Sequence, residues 1–70
     1  MPKQDLKKEV ACRIKLLRQA AKLTQEIAAD KAGFHYKYYQ KIESGTVNLT
    51  LDSIDRLAKV FGVVPKKLLP

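Results

Sequence analysis

Residues 23–45 read LTQEIAADKAGFHYKYYQKIESG, and the punctuation of this stretch decides the fold. Thr24 ahead of Gln25 and Glu26 has the form of a helix N-cap with its first turn. The hydroxyl can accept from a free backbone amide, and Glu26 meets the positive end of the helix dipole. The run through Ile27, Ala28, Ala29 and Ala32 ends at Gly33, a residue suited to the left-handed conformation that stops a helix. After Phe34, His35 can cap a second run from Tyr36 to Glu43, which Ser44 and Gly45 close. Two short helices joined by a tight turn are therefore expected.

Upstream, Leu6, Val10, Ile14, Leu17 and Ala21 recur at spacings of three and four, the period of one buried helix face, with Asp5 as the expected N-cap. Downstream, Thr46 to Leu49 have a β-like composition but no partner to pair with, so they form a loop. Thr50 then caps a fourth helix, with Asp52 in its first turn, Leu51, Ile54, Leu57, Ala58 and Phe61 as its buried face, and Gly62 at its end. Pro65 is acceptable at a first helical position, and Lys66 to Leu69 supply a last turn. The expected architecture is all-α, a compact five-helix bundle forming one domain over residues 1–70.

Composition limits the function classes. Seventy residues allow one core, and 14 Lys and Arg against 7 Asp and Glu leave a net charge of +7. That surplus points to a polyanionic partner, while 46% hydrophobic residues make the chain too apolar for a disordered basic tail. Cys12 is the only cysteine and His35 the only histidine, so neither an internal disulfide nor a structural metal site is expected. No Gly-rich phosphate loop is present, and five short helices supply little material for a polar pocket. An enzyme is excluded on these grounds, and no cofactor, metal or small-molecule ligand is expected. No apolar run approaches a membrane span of about 20 residues, and the first residues lack the apolar stretch of a signal peptide. A cytoplasmic location with no membrane partner is the expectation.

The two short helices between longer ones match the helix-turn-helix arrangement, with the pair at about residues 24–43. The residues sharpen it. Leu23-Thr24-Gln25-Glu26, then Ala29 and Gly33, then Ile42-Glu43 and Gly45, then Leu57-Ala58 and Gly62-Val63 resemble the phage repressor, Cro and Xre family of helix-turn-helix regulators. The likeness runs from about Val10 to Leu69. It implies a sequence-specific DNA-binding transcriptional regulator, prokaryotic or encoded by a phage or mobile element, whose third helix enters the major groove of double-stranded DNA.

The resemblance also assigns residues. Gln25, beside Thr24, would bind a DNA phosphate through its side chain and the neighbouring amides, as helix N-termini do for anions. Tyr36, Lys37 and Lys41 fall where the family reaches base edges, and a lysine can donate to the O6 and N7 acceptors of guanine. Gln40 is a candidate for the backbone, and Ser44, Thr46 and Asn48 resemble the loop that holds phosphate. Tyr38 is open between a phosphate contact and packing at the rim, whereas Phe34, Tyr39 and Ile42 fit one inward stripe. Lysines four apart are also what any solvated helix face shows; here the motif decides between the readings. Arg18 and Glu43 match the positions of an ion pair between the first and third helices, a structural rather than DNA-contacting role.

Three departures from the family stand out. Lys22 occupies a place often held by Gly, Ala28 one often held by a larger aliphatic residue, and Cys12 and Leu16 lie where polar residues are usual. Val63, Val64, Leu68 and Leu69 give an apolar C-terminal end. Family members often pair there, so a homodimer is expected, with recognition helices about 34 Å apart on a pseudo-palindromic operator. Closing the monomer core is the other reading of those residues. The competing function is a protein-binding, antitoxin-like module whose main partner is another protein.

Overall fold

A computed structural model describes residues 3–70, with side chains from Leu6 onward. Four α-helices follow one another: α1 (Lys3–Ala20), α2 (Gln25–Ala32), α3 (Tyr36–Ser44) and α4 (Leu51–Phe61). A one-turn 3-10 helix, Pro65–Leu68, comes last. The expected five-helix bundle is thus corrected to four α-helices. The fifth segment is too short for α-type hydrogen bonds, and Lys67 N donates to Val64 O three residues back.

The helix ends follow their cap residues. Thr24 accepts from Ile27 N at 3.1 Å, and Thr50 accepts from Ser53 N at 3.1 Å. His35 accepts from Lys37 N through Nδ1 at 3.3 Å. Gly33, Gly45 and Gly62 hold φ of 77°, 76° and 70° at the three C-termini, where a Cβ would crowd the chain. Asp5 is corrected from a cap to a position inside α1, which begins at Lys3; its side chain lies outside the described residues. Lys22 takes φ +60°, so the glycine-like backbone is retained without glycine.

Tyr39, Ile14, Ile42, Leu57 and Leu68 are the largest fully buried side chains. They come from α1, α3, α4 and the 3-10 helix, so one core joins nearly every element. Burying a side chain of this size stabilises the fold by about 1.5–3 kcal/mol. Ala28 is fully buried, and Tyr39, not Ile27, fills the core beside α2; Ile27 is 46% exposed. The expected buried faces need further correction. Leu6 and Ala21, at the two ends of the α1 stripe, are exposed. Leu51, assigned to the buried face of α4, is 83% exposed; in the first turn of that helix Ser53 and Ile54 are the residues turned to the core. Cys12 and Leu16 both face solvent. Leu68 closes the monomer core, while Val64 and Leu69 remain exposed.

Candidate nucleic-acid interface

The turn between α2 and α3 is held from behind by a charged cluster. Arg18 Nε on α1 donates to Glu43 Oε2 on α3 at 2.6 Å, and a second guanidinium nitrogen donates to Oε1 at 3.2 Å. The remaining nitrogen donates to Leu23 O at 2.8 Å, just ahead of α2. Gln25 Nε2, in the first turn of α2, donates to Glu43 Oε1 at 3.0 Å. One carboxylate therefore fixes three elements against one another. The side chains of the pair are 12% and 3% exposed, so solvent screens it little.

Electrostatics follow from this geometry. The Glu43 hydrogen bond pushes the Arg18 guanidinium above its ordinary value. Burial alone would raise the Glu43 carboxyl, but the Arg18 guanidinium, through its hydrogen bonds and its charge, leads the contributions that hold the group below the ordinary carboxylate range. Burial pushes the neighbouring Tyr39 phenol up, so it stays protonated, and its hydroxyl has no hydrogen bond among the described residues.

With α3 fixed by Tyr39, Ile42 and Glu43, its other face is turned to solvent. Tyr36, Lys37, Gln40 and Lys41 are all exposed. Lys37, Gln40, Lys41 and Ser44 line one shallow concavity. Tyr38 is half-buried, its ring 5.6 Å from that of Phe34, which in turn lies under the Arg56 guanidinium. Packing at the rim, one of its two readings, therefore describes its surroundings.

The expected phosphate-binding residues are distributed around this face. At the start of α2, Thr24 occupies one amide, leaving those of Gln25 and Glu26 without a helical acceptor. The Gln25 amide nitrogen uses one of its two hydrogens on Glu43, so its second N–H and the backbone amide remain free to donate to other groups. Beyond α3, Ser44 Oγ donates to Lys41 O at 2.8 Å and lies 2.9 Å from Thr46 Oγ1. Asn48 is exposed in the following loop. Sequence reasoning missed the Gln25 link and the neighbours of Gly45. There an added Cβ would come 3.1 Å from Lys8 Cα, so α1 passes directly against the end of α3. A glycine closing a helix carries no signal of what else it touches.

Two short helices at a glycine-closed turn, one braced from behind and the other presenting a basic outer face, define a helix-turn-helix protein. The chain belongs to the helix-turn-helix family HTH_3, the Cro, phage-repressor and Xre type, whose model it matches over residues 14–68. This is a family of DNA-binding transcription regulators rather than enzymes. Among curated proteins it is similar to the control protein C.BamHI of Bacillus amyloliquefaciens, 43% identical over 47 residues, or 67% of this chain. The match spans 58% of that relative.

Solved structures agree. The restriction-modification controller protein C.AhdI from Aeromonas hydrophila superposes with a TM-score of 0.87 at 30% identity, covering 90% of this chain and 96% of that one. A hypothetical transcription factor, NHTF from Neisseria, superposes with a TM-score of 0.88 at 27% identity, over 100% of this chain and 82% of that one. A family regulator from Vibrio cholerae at 20% identity shares the fold, with a TM-score of 0.85 over 93% of this chain and 36% of that one.

Proposed function

We propose that this protein is a sequence-specific transcriptional regulator that binds a pseudo-palindromic operator as a homodimer, with α3 in the major groove. The observation that carries the reading is the exposed face of α3, where Tyr36, Lys37 and Lys41 stand free of the core while the opposite face is pinned by Glu43. A helix of this kind is rigid enough to present side chains to base edges in register. Lys37 or Lys41 donates to a guanine, and Tyr36 touches a thymine methyl or a phosphate. Thr24, Gln25, Tyr38, Gln40, Ser44, Thr46 and Asn48 hold the backbone on either side.

The control protein and the restriction-modification controller among its relatives favour a controller of a restriction-modification system within this class. Its place of action is the bacterial cytoplasm. Exposed Val64 and Leu69 support pairing through the C-terminal end, since the monomer core uses only Leu68 fully. Selection from random-sequence duplexes tests the reading. A two-fold-symmetric consensus is expected, with log affinity falling linearly in log salt. Recovery of no consensus at moderate salt overturns it and favours a protein-binding, antitoxin-like role.

A further inference from the structure

The start of α1 carries lysines whose position the DNA-binding reading does not use. Lys7 and Lys8 line a second concavity together with Gly45 and Thr46. It adjoins the one on the face of α3, because Ser44 borders the first, Thr46 borders the second, and their hydroxyls are 2.9 Å apart. Among the described residues, no carboxylate lines either concavity. A single basic path thus runs from Lys37 and Lys41, past the two hydroxyls, onto α1.

The dimensions fit DNA. Nine residues of α3 span about 13 Å, close to the major-groove width of about 12 Å. If Tyr36, Lys37 and Lys41 face base edges, the Ser44 end of α3 and whatever lies beyond it stand toward the bordering sugar-phosphate strand. Gly45 permits the close approach of α1 there, since a Cβ would meet Lys8 Cα and Cγ, both at 3.1 Å.

We propose that Lys7 and Lys8, together with the Thr46 end of the loop, form a DNA phosphate-binding extension that grips the strand flanking the groove read by α3. This rests on the DNA-binding reading above and adds to it a contact from α1. The two lysines supply attraction and register but no base readout, so their removal leaves the preferred sequence unchanged.

The test compares the full chain with Lys7→Gln/Lys8→Gln on the consensus duplex recovered by selection and on a scrambled duplex. Lys15→Gln/Lys31→Gln, which removes equal charge from exposed positions on α1 and α2 outside the proposed contacts, is the control. Each phosphate contact contributes about 0.9 to the slope of log affinity against log salt, so losing two lowers it by about 1.8 per protomer. Over about 50 to 200 mM salt, the ratio of wild-type to variant affinity then changes about twelve-fold per protomer, or about 150-fold for the dimer. Phosphate-ethylation interference should also disappear at a strand position beside each half-site, with the consensus and the melting temperature unchanged. Lys7→Arg/Lys8→Arg should restore both signals. A slope and interference pattern equal to those of the Lys15/Lys31 control overturns this extension while leaving the regulator reading intact. Failure of the unmutated chain to select any sequence overturns the regulator reading itself.

Discussion

Replacing Glu43 with Ala should abolish DNA binding by unfolding the domain rather than by removing a contact to DNA. Glu43 accepts from Arg18 and Gln25, and both side chains of its ion pair are nearly covered. Truncation leaves the Arg18 guanidinium without its charge partner and the Gln25 amide without its acceptor. Breaking a buried pair in this way costs about 3–5 kcal/mol. A 70-residue domain has in total about 3.5–10 kcal/mol of stability, so the loss takes about three-tenths of it at the least. At about 4–8 °C per kcal/mol for a domain of this size, the melting temperature falls by about 12 °C or more. Urea denaturation followed by circular dichroism gives the stability, and DNA binding is then measured where each variant is still folded. Arg18→Met/Glu43→Met should lose less than Glu43→Ala alone, because no buried charge is left behind. A Glu43→Ala protein that melts with the wild type and still fails to bind DNA refutes the reasoning and moves Glu43 into the interface.

Other perturbations probe the backbone and the charge of the same cluster. Lys22→Gly should stabilise the fold by about 0.5–1 kcal/mol in chemical denaturation, because φ +60° costs a lysine but not a glycine. Gly45→Ala should cost more than Gly62→Ala. Both hold positive φ, but only the first would drive a Cβ to 3.1 Å from the α1 backbone, while nothing lies within 4 Å of the second. Acid should act through Glu43, whose carboxyl is held below its ordinary value in the fold. Its contribution is present above the unfolded-state value of about 4.3 and is lost as pH falls from there through the lower folded-state value. The stability gap between the wild type and Glu43→Gln, measured in urea at stepped pH, should therefore narrow as pH falls below about 5; a gap that widens contradicts the assignment.

Much of this arrangement is legible in the chain because short helices announce their ends. Thr24, His35 and Thr50 cap where their hydrogen-bonding side chains fall, and the three glycines stop helices where a Cβ would be strained. Tyr39 is assignable to the core because Ile42 stands three residues on, on the same helix face. Periodicity fails at the ends of elements. Leu51 and Leu6 fit their stripes in sequence, yet each stands at the outer end of its stripe and stays exposed. The last turn shows the same limit, since four residues opening with Pro65 have too few backbone bonds for an α-helix. At the interface, the exposed face of α3 follows from the motif. Gln25 donating to Glu43 across 18 positions, and Lys8 lying against Gly45, are contacts between elements that no local pattern encodes.

Sequence reading by α3 is tested most directly by repeating the duplex selection with Lys41→Gln and Lys37→Gln beside the wild type. A side chain that meets a base edge changes or relaxes the consensus at its own position, whereas one that meets phosphate weakens all sequences alike. The account predicts that at least one of the two variants loses preference for a guanine at one symmetric position in each half-site, with a discrimination loss of about 1–3 kcal/mol there. An unchanged consensus from both variants, with affinity lowered uniformly, would contradict it.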